Sequence, residues 1–278
     1  MAADAEPDSR EGTIASRDGT RLSWRSWPVA EPVVQVAVVH GLGEHSGRYA
    51  RLAEALNSAG CGCWAIDLRG MGRSEGRRGH VDRWRQWVED CAAFVDLIRE
   101  RSGGTEVVPL GHSFGGVVVA SAVLDDVVRP RRFVLSNPAF RPAIAVPGWK
   151  LALGRASSGL VPTLTLGNEV DPALLSRDPV VAAEYAADPL VHDRISSRLF
   201  TEWVAASHDA LRRATDLAAP CLLIVSEDDR IIDRGGALEF ARRAGDRAKV
   251  LSFPDRFHEP FNDLDAGDVF QALVEWLR

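Results

Sequence analysis

The amino-acid sequence predicts an α/β domain: a mostly parallel central sheet, helices on both of its faces, and an inserted, mainly helical cap. Three observations carry that expectation. Short β-branched or apolar runs alternate with longer segments of helical period up to Leu135 and again after Cys221, and strands separated by helices pair in parallel with both faces covered. A leading hairpin adds antiparallel strands at one edge. From about residue 141 to 208 the alternation stops, over a stretch too long for a structureless loop in a compact domain.

In chain order, residues 1–11 read as a loose tail. Residues 12–16 and 20–27 are expected strands joined at Asp18-Gly19, a strong hairpin signal. Residues 33–40 form a β-branched third strand. The segment 48–59 sets Tyr49, Leu52, Ala55 and Leu56 on one helical face and stops at Gly60. Residues 61–68 are a fourth strand, and 84–101 a helix with Trp87, Cys91, Phe94, Val95 and Ile98 on its buried stripe. A fifth strand at 105–110, an apolar helix at 116–124 and a sixth strand at 132–135 follow. The later half supplies strand 221–225, helix 236–244, strand 249–253 and helix 266–277. The core is thus expected from 12–140 and 209–278, with 141–208 as the cap. That insertion carries scattered breakers (Pro142, Pro147, Gly148, Gly154, Gly159, Pro162) and helical patterns near 179–187 and 195–206. It leaves the sheet after the sixth strand, at the carboxyl edge where open α/β sheets hold ligands.

Composition excludes several functions. A net charge of −6 with pI near 5.7 argues against nucleic acid or an anionic membrane as an electrostatic partner. Cys61, Cys63, Cys91 and Cys221 lie in elements rather than at zinc-ligand spacing, and free buried thiols in a reducing compartment are expected. No secretory signal is evident and no run of about 18 apolar residues occurs, so a soluble, cytoplasmic protein without a transmembrane segment is expected. Nothing specifies an oligomeric state. No cofactor or metal is expected either. After Gly41-Leu42-Gly43 the next glycine, Gly47, falls one position late for a dinucleotide loop, as does Gly76 after Gly70-Met71-Gly72. His40 and His45 lack a third metal ligand.

The chemistry centres on Gly111-His112-Ser113-Phe114-Gly115, between a buried strand and a buried helix. A serine flanked by glycines at a strand-to-helix turn is a nucleophile elbow: the turn is too tight for bulk, and it aims the hydroxyl away from the sheet beside the helix N-terminus. A serine needs a base, and the base a third group that sets its tautomer. Of the histidines beyond Ser113, His192 and His208 fall within the cap or at its end. His258 lies just past the last strand, at the edge where the elbow opens, and is the expected base. The acid should follow the seventh strand, where Glu227, Asp228 and Asp229 are adjacent; Asp229 suits the spacing and Asp228 is the alternative. Backbone N–H groups of Phe114 and of Leu42, in the glycine-rich loop after the third strand, are the expected oxyanion donors. His80 and His112 read as structural, and Asp67 with Arg69 as a brace of their loop.

These segments together resemble the α/β-hydrolase superfamily, and within it the monoacylglycerol lipase and lysophospholipase (serine aminopeptidase-type) branch. The carrying strings are His40-Gly41-Leu42-Gly43-Glu44-His45-Ser46-Gly47-Arg48-Tyr49, Asp67-Leu68-Arg69-Gly70-Met71-Gly72-Arg73-Ser74-Glu75-Gly76, Gly111-His112-Ser113-Phe114-Gly115-Gly116, Ser226-Glu227-Asp228-Asp229-Arg230 and Phe257-His258-Glu259. The resemblance covers about residues 12 to 278 and implies Ser113 as nucleophile, Asp229 as acid, His258 as base, and Leu42 and Phe114 as oxyanion donors. Two departures stand out: the family often has methionine where this chain has Phe114, and glycine where it has Ser226. The cap matches mainly at Leu174-Leu175-Ser176-Arg177-Asp178-Pro179 and Tyr185-Ala186-Ala187-Asp188-Pro189-Leu190.

The implied activity is cofactor-free hydrolysis of carboxylic esters of single-acyl lipids through an acyl-enzyme on Ser113. Short soluble esters, or an amide held by an acidic patch such as Glu169, Asp171 and Glu184, are alternatives for the same residues. A binding or receptor module with slow turnover is the alternative of another class. The expected partner is a small ester substrate. Apolar cap residues Val146, Trp149, Leu151, Leu153, Leu160 and Leu164 would line an acyl tunnel, touch a lipid surface transiently, or simply pack the cap onto the sheet.

Overall fold

The computed structural model describes residues 9–143, 157–168 and 170–278; most of the N-terminal tail, Val146, Trp149, Leu151, Leu153 and Glu169 lie outside the described residues. Its centre is an eight-stranded sheet: β1 (Arg10–Ala15), β2 (Arg21–Trp27), β3 (Gln35–Val39), β4 (Gly62–Ile66), β5 (Val107–His112), β6 (Phe133–Ser136), β9 (Cys221–Ser226) and β10 (Ala248–Phe253). Their spatial order is β1-β2-β4-β3-β5-β6-β9-β10. The β1–β2 hairpin turns at Asp18-Gly19 and joins β4 antiparallel, while the strands from β4 to β10 run parallel.

Strict alternation explains how this sheet buries both faces. In β3, Val36 and Val38 face one apolar layer and Ala37 and Val39 the other; in β9, Leu222 and Ile224 alternate in the same way with Cys221, Leu223 and Val225. On the first face lie α1 (Ala50–Ser58) and the last helix, Gly267–Leu277, through Leu52, Leu56, Val269 and Leu273. On the second lie α2 (Arg85–Arg101) and α3 (Phe114–Leu124), through Trp87, Phe94, Val117 and Ala120. All four cysteines are free and buried.

The stretch between β6 and β9, where an insertion is expected, supplies α4 (Pro179–Ala187), α5 (Ser197–Arg213), and a short antiparallel pair, β7 (Thr165–Gly167) with β8 (Arg194–Ser196). The pair was not among the expected elements, because three residues are too few to display a period. Asp178 and Ser196 cap the two helices, their side chains accepting from Val180 and Leu199 N–H. α5 runs on to Arg213 and packs on the second face through Ala206, Ala210 and Leu211, beside α6 (Arg234–Ala244). The last helix is therefore α7. Leu160, Val161, Leu164 and Leu166 are exposed. No helix among the described residues is long and apolar enough to cross a membrane.

The strand order places the site. After β3 the chain passes to β4 on one side, then returns to β5 on the other, so a crevice opens between the carboxyl ends of β3 and β5. The glycine-rich loop of residues 40–45 leaves one strand there and Ser113 follows the other.

Candidate active site

β5 ends at His112 and α3 begins at Phe114, so Ser113 alone makes the turn. Its backbone sits at φ 53°, ψ −119°, a conformation that L side chains rarely adopt and that persists only where the surroundings enforce it. The flanking glycines are steric necessities. A Cβ on Gly115 would stand 2.1 Å from the Val39 carbonyl oxygen, and one on Gly111 would stand 2.4 Å from that of Gly115. Ser113 is pinned by its backbone too: its N–H donates to Ser136 O (2.9 Å) and its carbonyl accepts from Ala139 N–H (2.9 Å). No side chain caps α3, so its first N–H groups and the positive end of its dipole are left beside the hydroxyl.

The structure brings the three expected side chains into one hydrogen-bonded chain. His258 Nε2 lies 2.9 Å from Ser113 Oγ, and His258 Nδ1 lies 2.7 Å from Asp229 Oδ2. With Nδ1–H donating to the carboxylate, the Nε2 lone pair faces the hydroxyl, which is the tautomer a base requires. Asp229 is aimed by its own turn, since Oδ1 accepts from Ile231 and Ile232 N–H at 2.9 Å each. Burial opposes its charge, yet the His258 cation and these hydrogen bonds hold its pKa below the usual aspartate value. Burial also opposes charge on His258; the Asp229 anion and hydrogen bond, with Glu259 and Glu44 behind, outweigh it and raise the imidazole pKa.

Of the alternatives, Asp228 is exposed, whereas Asp229 has a side chain only 2% accessible and is the one that meets His258. His192 Nε2 donates to Gly70 O (3.1 Å), and His208 is exposed on α5; neither reaches Ser113. His112 packs 4.9 Å from the His258 ring and is pushed down to about 3 by burial and by that neighbour, so it is a neutral spacer. His80 meets Ser196 Oγ at 2.9 Å. The expected Asp67–Arg69 brace is not formed. Asp67 accepts from Ser46 and Arg73 N–H (2.7 and 2.8 Å), whereas Arg69 runs to Asp18 and Asp90. Asp90 is fully buried in α2, and Arg69 is the cation that compensates it.

Leu42 and Phe114 both line the cleft beside Ser113. The loop carrying Leu42 is held from two sides: Gly41 N–H donates to Glu44 Oε1 (2.5 Å) and Gly43 O accepts from His192 N–H (2.9 Å). His40 completes the brace, with Nδ1 2.7 Å from Gly41 O and Nε2 accepting from Leu68 N–H at 3.0 Å.

A buried ion cluster escaped the sequence reading. Arg48 donates to Glu44 (3.1 Å) and to Glu259 (2.6 Å), and its guanidinium lies 4.8 Å over the Tyr185 ring. Side chains of all three charged residues are under a tenth exposed. Burial opposes charge on Glu44, but Arg48 and nearby histidines depress its pKa to about 2. The i,i+4 spacing of Glu44 and Arg48 was the available signal; Glu259, 211 positions away, gave none. Arg48→Ala strands two buried carboxylates and should lower stability by about 3–5 kcal/mol, read by thermal or urea unfolding.

The cleft has about 510 Å³ of empty space, part of it open solvent at its mouth. Glu44, Glu259 and Tyr185 make one polar wall; Phe114, Val170, Leu175, Trp203, Ile231 and Ile232 are apolar. Four of these lining residues, Val170, Leu175, Tyr185 and Trp203, come from the insertion. The insertion is also fastened to the site: Leu175 O accepts from Glu259 N–H (2.8 Å), Trp203 Nε1 donates to Ala139 O (2.9 Å), and His45 meets Asp188 at 2.7 Å.

A family model described as serine aminopeptidase, S33, matches residues 30–265. The monoacylglycerol lipase of Mycolicibacterium smegmatis is 30% identical over 270 residues, covering 96% of each chain. The crystal structure of the Paleococcus ferrophilus monoacylglycerol lipase superposes with a TM-score of 0.80 at 33% identity, covering 97% of this chain and 98% of that one. An abhydrolase domain-containing protein of Dictyostelium discoideum is 32% identical over 97% of this chain, which spans only 29% of that protein's length.

Proposed function

Because the chain belongs to the serine aminopeptidase S33 family of α/β-hydrolases, we propose that it hydrolyses esters of single-acyl lipids, monoacylglycerols or lysophospholipids, through an acyl-enzyme on Ser113. The observation that carries this reading is the Ser113–His258–Asp229 chain opening into a cleft with one polar and several apolar walls. His258 Nε2 takes the Ser113 proton as Oγ attacks the ester carbonyl, and Asp229 stabilises the imidazolium. The oxyanion accepts from Leu42 and Phe114 N–H, worth roughly 10²–10³ in rate for each donor. The imidazolium then protonates the departing alcohol. Water, deprotonated by the same imidazole, attacks the acyl-enzyme and frees the acid and Ser113. No step calls for a cofactor.

The walls support the substrate class. An acyl chain fits against Phe114, Leu175, Trp203 and Ile232, and a small polyol fits the carboxylates and phenol of Glu44, Glu259 and Tyr185, which accept from or donate to hydroxyls. An amide substrate anchored by its ammonium fits less well. Asp171 is spent capping Ala173 N–H and Glu184 is exposed. The acidic pair that does face the cleft, Glu44 and Glu259, is bridged by Arg48.

The test is a chain-length series of monoacylglycerols beside p-nitrophenyl acetate and an aminoacyl p-nitroanilide. Each methylene that enters the cleft should raise kcat/KM about threefold to fourfold until the apolar wall is filled, from about 0.8 kcal/mol per buried CH₂. Turnover of the acetate alone would end the lipid assignment. Faster release from the anilide would favour the amidase.

A further inference from the structure

The geometry points to Asn137 as a positioning residue for His258: its side-chain amide, together with Ser226, clamps the histidine loop to the strand that delivers Asp229. This rests on the proposed roles of Ser113, His258 and Asp229. Asn137 follows β6 and is 4% exposed, with its backbone in the left-handed region at φ 40°. Among residues with a functional side chain, asparagine is one of the few that enters that region readily. Both hydrogens and the oxygen of its amide are engaged. Nδ2 donates to the His258 carbonyl oxygen (2.8 Å) and to Ser226 Oγ (2.9 Å), and Oδ1 accepts from Ser226 N–H (2.8 Å). Its backbone N–H donates to Ile224 O at 2.9 Å.

Three things that the reaction must hold in register therefore meet at and beside Asn137. The neighbouring backbone of the same loop already grips the nucleophile, through Ser136 O to Ser113 N–H and Ala139 N–H to Ser113 O. The amide adds β9, three residues before Asp229, and the peptide of His258 itself. Other ties hold the flanks of the histidine: Phe257 N–H donates to Asp263 (2.8 Å) and Glu259 N–H to Leu175 O. Among the described residues, the Asn137 amide alone takes the His258 carbonyl. Only a group with two donor hydrogens and an acceptor can make these three bonds at once; aspartate lacks the donors and serine the reach. The clamp also accounts for Ser226, the residue at which this chain departs from the glycine of the family it resembles. Ser226 is fully buried, and its hydroxyl gives the second amide hydrogen a partner.

The experiment uses the full-length protein, a fluorophosphonate probe and the best monoacylglycerol. Asn137→Gly keeps the left-handed backbone without strain and removes only the amide. It should lower kcat about 10- to 100-fold with KM within about threefold, the loss expected when a reacting group shifts by a fraction of an ångström to 1 Å. The acidic limb of kcat/KM should move to lower pH as His258 loosens from Asp229, while Glu44, Glu259 and His112, which also face the ring, are unchanged. Ser226→Ala should cost about threefold alone and nothing further in the Asn137→Gly background, since neighbouring effects of one network do not add. Asn137→Asp, which also enters the left-handed region but lacks both donor hydrogens, provides a second variant, read by kcat against KM, if the glycine variant melts below the assay temperature. Wild-type kcat and an unmoved pH limb in the folded variants, or fully additive losses, would overturn the clamp. Absence of probe labelling on the wild type would instead sink the serine-hydrolase reading, so the two failures are distinct.

Discussion

Ser113→Ala is expected to lower kcat/KM for a monoacylglycerol by at least about 10⁴-fold, with KM and the melting temperature little changed. The magnitude follows from the chemistry: without Oγ no acyl-enzyme forms, and what remains is the contribution of binding and of the proposed Leu42 and Phe114 donors. The alanine loses one buried hydroxyl and its 2.9 Å bond to His258, a cost of about 1 kcal/mol. It keeps the backbone at φ 53° that the elbow imposes. A fluorophosphonate should label the wild type and not the variant. Equal labelling of both would place the reactive group elsewhere.

Asp229→Asn should cost about 10⁴-fold in kcat, against less than about threefold for Asp228→Asn. The amide cannot accept Nδ1–H through its NH₂ group, so the histidine tautomer that directs Nε2 at Ser113 is no longer enforced. The pH profile supplies a second readout. In the wild type the Asp229 anion raises the His258 pKa, and only neutral His258 can take the serine proton. Activity should therefore fall as pH drops through a point above the ordinary imidazole value of about 6.5. In Asp229→Asn the anion is gone, and the residual activity should lose its acidic limb to lower pH. A limb that stays in place would mean that another group sets it. Loss of activity in Asp228→Asn instead would reassign the acid.

Asp228 and Asp229 illustrate why some of the site was legible and some was not. Two adjacent carboxylates have the same composition and nearly the same spacing from β9. The turn decides between them, because Ile231 and Ile232 N–H tether one oxygen of Asp229 and leave the other for His258. The elbow was legible for the opposite reason: its glycines are demanded by contacts within a few residues and one neighbouring strand. Arg69 was misassigned to Asp67 because proximity in sequence says nothing of the buried Asp90 on α2. β7 and β8 were too short to leave a pattern, and α5 outran its expected end because Ala210 and Leu211 continue the stripe into the core.

From residue order alone came the succession of strands and helices, the strand-end positions of Ser113, His258 and the acidic turn, and the glycine-rich loop at Leu42. Each depends on period, turn chemistry or sterics within a short window. Tertiary structure decided which carboxylate meets His258, which insertion residues wall the cleft, how Arg48 balances Glu44 and Glu259, and how Asn137 ties the histidine loop to β9. Apart from the Glu44–Arg48 pair, four positions apart, those contacts join residues 29 to 211 positions apart, and the order of strands in the sheet, which no local pattern encodes, is what brings them together.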